Sequence, residues 1–239
     1  MASPRRALTL LRPKNWPVTL SRIPSTRRVR LIARLRVLSW WHRAPLDLHI
    51  APGVIIGKRI NLEIRPNTRN AFRIGSGSTI GDDVRLRLRG GSIDIGEQVD
   101  LRATCILNVT GGRLVIEGPS NVGWGVAIHC AESVKIGYFA QIAEYSTIVD
   151  SNHIHTAPGE WSYFNTRTSP IELGADVWVC PKSTITMGVT IGEHVIVGPS
   201  SVVTKDVPGG VLSSGIPAKV IKELDLPWNA PAIGDSETA

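Results

Sequence analysis

From Leu173 the apolar positions recur at Val179, Ile185, Ile191, Val197 and Val203, one every six residues, and glycine follows three of them at Gly174, Gly192 and Gly198. The same step runs earlier through Ile74, Ile80 and Leu86, then Ile95, Leu101 and Leu107, then Ile116, Val122, Ile128 and Val134, then Ile136, Ile142 and Ile148. Phase slips fall at Gly90-Gly91 and between Val134 and Ile136, as bulges or widened corners would produce. A step of six holds no apolar face on a helix of about 3.6 residues per turn. It suits a short strand and a turn, repeated. Three such faces close a triangular coil of about eighteen residues with one aliphatic side chain per face pointing inward. Stacked coils then bury a continuous aliphatic ladder, and each strand pairs with the coils above and below. The competing architecture, a β-sandwich, requires the six matches in 173–203 to be coincidental.

The pattern breaks at Asp150-Ser-Asn-His-Ile-His-Thr156. The next apolar step is due at residue 154, but the chain runs through a polar loop, 154–170, before Ile171. A loop of that length interrupts a pairing surface, and insertions in repeat proteins map to one face, often the binding face. The two histidines at the break, His153 and His155, are the candidates for chemistry; a polar turn residue at a solvated corner is the plain alternative. His129 and His194 are expected at the surface or at corners.

A different segment precedes the repeat. Residues 27–42 read as an amphipathic helix with Leu31, Leu35 and Leu38 on one face and Arg27, Arg30 and Arg34 on another, capped by Ser25 or Thr26 and ending in two tryptophans. Two roles suit it. It caps the first coil, which otherwise exposes apolar surface and unpaired strands, or it lies on an anionic membrane as an interfacial helix. Charge sharpens the division of the chain. Residues 1–43 hold 11 of the 27 Lys and Arg and no Asp or Glu, so the remainder has a balance of −4. The basic pI therefore belongs to the leader, and a nucleic-acid partner for the body is not expected. The organisation expected is a basic helical segment over 1–48, a repeat domain over 49–210 and a C-terminal segment over 211–239.

The chain has only 5% aromatic residues against 23 Gly and 16 Pro, in keeping with short strands and tight turns. Its three cysteines, Cys105, Cys130 and Cys180, are isolated, as in a reduced, cytosolic protein. No apolar run reaches the roughly 18 residues that span a bilayer. Arg12 and Lys14 interrupt any signal-peptide core, although an Arg-rich, acid-free leader also resembles a transit peptide. The expected location is cytoplasmic, with peripheral contact at the inner face of the membrane if residues 27–42 bind lipid.

Residues 52–222 resemble the hexapeptide-repeat acyltransferases. The resemblance is carried by Gly174-Ala-Asp-Val-Trp-Val179, by "GVTIGEHVIVGPSSVVTKDVP" (188–208) and by Gly215-Ile-Pro-Ala-Lys-Val220, and is closest to the maltose and galactoside O-acetyltransferase branch. It implies a left-handed parallel β-helix, a hand that spacing alone does not reveal. It also implies a homotrimer with sites between subunits, an acetyl-CoA or other acyl-CoA donor, no metal, and a hydroxyl acceptor on a sugar, glycan or glycolipid precursor. By position His153 matches the family's catalytic base. The chemistry fits the residue, because a positioned neutral imidazole can take the proton of a hydroxyl as it attacks a thioester and return it to the departing thiolate. A carboxylate or backbone carbonyl must hold the other ring nitrogen; Asp150 and Glu160 are the nearby carboxylates, and both remain open. Asn152, His155, Glu160 and Trp161 are the acceptor-side candidates. Trp178, Thr204, Lys205, Gly215, Ala218 and Lys219 match positions near the coenzyme, with Lys222 more simply a surface residue. The chain reads "VWVC" followed by Pro181 where the family has "VWIG", and Pro offers no N–H. Two rivals share the scaffold. One is a non-catalytic solenoid that binds a partner. The other is a zinc β-helical carbonic anhydrase using His129, His153 and His155, although the H-x-x-x-x-H pair of those enzymes is absent.

Overall fold

A computed structural model describes residues 26–154 and 165–225. It is a parallel β-solenoid of seven coils on three sheets. The first sheet stacks Ile50, Ile74, Ile95, Ile116, Ile136, Leu173 and Ile191 in register. The second stacks Ile56, Ile80, Leu101, Val122, Ile142, Val179 and Val197. The third stacks Leu62, Leu86, Leu107, Ile128, Ile148, Ile185 and Val203. Every repeat position named from the sequence is buried. The period also hid a second layer. Strands of the first and third sheets turn two side chains inward, as at Phe72 with Ile74 and at Leu86 with Leu88, following the two-residue alternation of a strand.

The three corners are not alike. From first sheet to second, and from second to third, the inward residues are always six apart. The whole irregularity of the chain lies at the third corner, on the return from Leu62 to Ile74, Leu86 to Ile95, Leu107 to Ile116, Ile128 to Ile136 and Ile148 to Leu173. Only the last full return, Ile185 to Ile191, is back in step. The slip at Gly90-Gly91 sits here. Gly91 has φ +95°, and a Cβ on it would stand 2.0 Å from the Gly112 carbonyl oxygen of the next coil. The stacked corner is thus too close for a side chain.

Each end is closed. The helix Thr26–Trp41 lies across the three strands of the first coil and buries Leu31 and Leu35, with Leu38 packed beside them. Arg28 Nη2 donates to the Ile50 carbonyl at 2.8 Å and Arg34 Nη1 to the Ile60 carbonyl at 3.2 Å. Arg34, expected on the polar face, is therefore a tether to the solenoid. The strands begin at Leu46. At the other end Val211–Gly215 and Ala218–Glu223 form an antiparallel hairpin that extends the second sheet. No helix among the described residues is long and apolar enough to cross a membrane.

Candidate active site

The break in the repeat is a β-hairpin at the third corner. Ser151–His153 pairs antiparallel with Thr166–Thr168, Ser151 opposite Thr168, Asn152 opposite Arg167 and His153 opposite Thr166. The ladder continues where the Ile154 N–H donates to the Asn165 carbonyl at 2.8 Å. His153 and Asn152 are exposed, one strand-length out from the coil. His155, Glu160 and Trp161 lie outside the described residues. An antiparallel ladder fixes the side chains it carries better than an open loop does, because each residue's backbone is hydrogen-bonded or directly paired.

Asp150 roots this hairpin. It occupies the inward column of the third sheet above Cys130, where Ile64, Leu88 and Val109 stand in earlier coils, and it is fully buried. A carboxylate in an aliphatic column requires hydrogen-bond donors. They come from the turn of the coil below: Oδ1 accepts from the Ala131 N–H at 2.7 Å, and Oδ2 accepts from the N–H groups of Glu132 at 2.8 Å and Ser133 at 3.0 Å. Its own carbonyl accepts from the Ser169 N–H at 2.9 Å, which ties the hairpin's return strand to its start. The residue offered from sequence as a partner of the His153 ring thus holds two successive corners together. A polar residue at an inward repeat position was the signal for this.

Among the coenzyme-side candidates, the structure makes two groups. Thr204 and Lys205 are exposed at the third corner of the last coil, above the hairpin; the next residue, Asp206, accepts from the Thr190 N–H at 2.7 Å. Trp178 stands outward on the second sheet, 45% exposed, between Gln141 and Ile196. By register Leu212 and Lys222 stand over Trp178, while Gly215, Ala218 and Lys219 lie further along, at the end of the closing hairpin, where the Gly215 N–H donates to Ser201 Oγ at 3.0 Å. The third sheet separates the two groups within one chain. Lys222 is exposed. The departure at Cys180-Pro181 is absorbed by stacking: the Cys180 N–H donates to the Val197 carbonyl, and the Pro181 carbonyl accepts from Ser200, both at 2.9 Å.

The other titratable groups play different parts. His194 sits at a corner in the left-handed region, φ +57°, with Nδ1 3.1 Å from an Asp176 carboxylate oxygen. His129 does not stand at a corner. It is half-buried mid-strand on the outer face of the third sheet, with Nδ1 3.2 Å from the Asn108 amide nitrogen. Burial, then the charge of Arg87, hold its pKa below the ordinary value, against a smaller opposing pull from Asp150. Burial pushes the Cys105 and Cys130 thiols up to about 12, which removes both as nucleophiles.

No family model matches the chain. WbbJ of Escherichia coli strain K12, which carries a provisional description as an O-acetyl transferase of lipopolysaccharide biosynthesis, is 32% identical over 150 residues, covering 56% of this chain and 74% of that protein. The chain belongs to the hexapeptide-repeat acyltransferases. Galactoside O-acetyltransferase of the same strain is 28% identical over 123 residues, 46% of this chain, and the match spans 61% of that enzyme's length, less than two thirds. Among solved structures, a variant of AntD, an N-acyltransferase from Bacillus cereus in complex with dTDP and coenzyme A, superposes with a TM-score of 0.54 at 18% identity, over 84% of this chain and 90% of that one. That likeness is one of fold, the left-handed parallel β-helix of hexapeptide-repeat acyltransferases.

Proposed function

We propose that this hexapeptide-repeat protein transfers an acyl group, most simply acetyl, from coenzyme A to a hydroxyl of a sugar or of a glycan or glycolipid precursor, with His153 as general base. The observation that carries the proposal is the hairpin. Among the described residues it is the one long departure from a seven-coil stack, it is rooted by a buried carboxylate, and it presents His153 to solvent on a paired strand. The names borne by WbbJ and by galactoside O-acetyltransferase favour an O-linked sugar acceptor.

In the proposed reaction the acceptor hydroxyl gives its proton to the neutral His153 imidazole while its oxygen attacks the thioester carbonyl. The tetrahedral intermediate expels the thiolate, which takes the proton back, so ester and free coenzyme A leave and the imidazole is regenerated. Asp150 acts on this step through the backbone, by setting where the hairpin leaves the coil. Lys205 supplies a point charge for a coenzyme phosphate. Trp178, Gly215, Ala218 and Lys219 form the second wall. Their separation from His153 by a whole sheet favours a homotrimer, in which a site is completed by the second-sheet edge of a neighbouring subunit, as closed symmetry allows.

The test is turnover of acetyl-CoA, followed by a thiol reagent, across a panel of sugar acceptors. His153→Ala lowers kcat by at least about 10²-fold while coenzyme A binding survives. Near-normal turnover in the folded variant removes His153 from the chemistry.

A further inference from the structure

The helix Thr26–Trp41 is apolar on two opposite sides, and only one of them is used by the fold. Leu31, Leu35 and Leu38 face the first coil. Val29, Ala33, Val37 and Trp40, spaced four, four and three residues apart, run along the opposite side, with Trp41 beside them. This second stripe is uncovered: Val29 is 63% exposed, Val37 60%, Trp40 78% and Trp41 73%. It is the largest concentration of exposed apolar side chains on one element among the described residues. A single surface hydrophobe needs no explanation, but a continuous stripe ending in two tryptophans does.

Charge says what covers it. Arg30 and Arg36 flank the stripe and are exposed, as are Arg27 and Arg43 near its ends. No Asp or Glu occurs before Asp47, and Asp47 is engaged by Arg73. A protein partner would need an apolar groove rimmed by acids. A bilayer of anionic lipid offers both features at once, a boundary that takes tryptophan rings and headgroups that pair with guanidinium. The geometry of the end-cap also suits a plane. The helix lies across the end of the solenoid, so among the described residues its outer side is the terminal surface, with no coil projecting past it. In any assembly of parallel solenoids the copies would present this side together.

We propose that the outer side of this helix docks the protein on an anionic membrane surface, while its inner side caps the coil. Capping and lipid contact are then functions of opposite faces rather than alternatives. The inference is independent of the proposed acyl transfer, because its readout is partition onto lipid and not turnover.

The experiment sediments the full-length protein with vesicles of phosphatidylcholine alone and with phosphatidylglycerol added. The protein should partition onto the anionic vesicles, and less so as salt is raised. Arg30→Glu with Arg36→Glu, and separately Trp40→Ser with Trp41→Ser, should each weaken partition by at least about tenfold. Both variants should retain the parent's melting temperature and subunit number, since none of the four residues faces the coil. The proposal is overturned by absence of binding, by equal binding to neutral vesicles, or by variants that bind as the parent does. It is also overturned if the tryptophan variant changes the subunit number, which would make the stripe a contact between copies.

Discussion

Two corners of the solenoid and the third follow different rules. Where the chain passes from first sheet to second and from second to third, seven coils in succession repeat a six-residue step without exception. At the third corner the first four returns, from Leu62 to Ile74, Leu86 to Ile95, Leu107 to Ile116 and Ile128 to Ile136, take 12, 9, 9 and 8 residues, and the fifth grows into a hairpin. The regular corners are held by stacking. Each strand between the end coils is paired on both sides, and an inserted residue would turn the next inward aliphatic outward. The third corner absorbs insertions because its excess chain bonds to the corners above and below it, as the Gly111 N–H does to the Gly90 carbonyl at 2.9 Å. Variation is therefore confined to one edge, and the candidate chemistry grows from that edge.

The largest effect should come from reducing that edge to the regular rule. Replacing residues 151–168 by a short turn like Thr186–Thr190 should lower acyl transfer by at least about 10²-fold, since it removes His153, yet leave thermal unfolding cooperative. Loss of folding instead would mean that the hairpin supports the stack, and the contrast between corners would fail. At the regular positions the balance reverses. Ile185→Ala, in the fully buried ladder, should cost about 2–5 kcal/mol in urea unfolding, whereas Arg167→Ala on the exposed hairpin should change stability by about 0.5 kcal/mol or less.

Asp150 joins the two regimes and should show both effects, though smaller ones. Asp150→Asn keeps one acceptor oxygen and turns an amide toward N–H donors, so it should cost about 1–3 kcal/mol. Turnover by the folded fraction should fall as well; an effect on stability alone would confine Asp150 to the stack. The smallest effect concerns His129, on the outer face beside the same corner. Its pKa is depressed in the fold, so the unfolded chain takes up the proton first. Its contribution is fully present above the ordinary histidine value of about 6.5 and is lost as pH falls through the folded value. His129→Gln should flatten that part of the stability–pH curve, and an unchanged curve would mean that the ring is solvated.

Much of this architecture was legible because one inward side chain per face is enough to encode a coil. Ile74 to Val203 declared the ladder, and the gap from Ile148 to Ile171 declared the hairpin's place. Less was legible wherever two periods overlap. The second inward layer at Phe72 and Leu88 follows a period of two inside a period of six, and the strand setting of His129 was hidden by the same overlap. The helix showed its inner stripe and hid its outer one. With Leu31 and Leu35 on one side and Val29 and Trp40 on the other, neither side is polar, and a one-sided amphipathic reading found only the face with leucines.

By itself the sequence determined the repeat, the inward residues and the position of the break, because burial in a stacked coil depends on spacing along the chain. Only the tertiary structure decided that the slips share one corner, that Asp150 holds the turn at 131–133, and that Thr204 and Lys205 stand on the hairpin's corner while Trp178 and Lys219 stand across the third sheet. Those relations join residues on neighbouring coils, brought together by the stacking of one coil on the next, and no local pattern of apolar and polar positions records them.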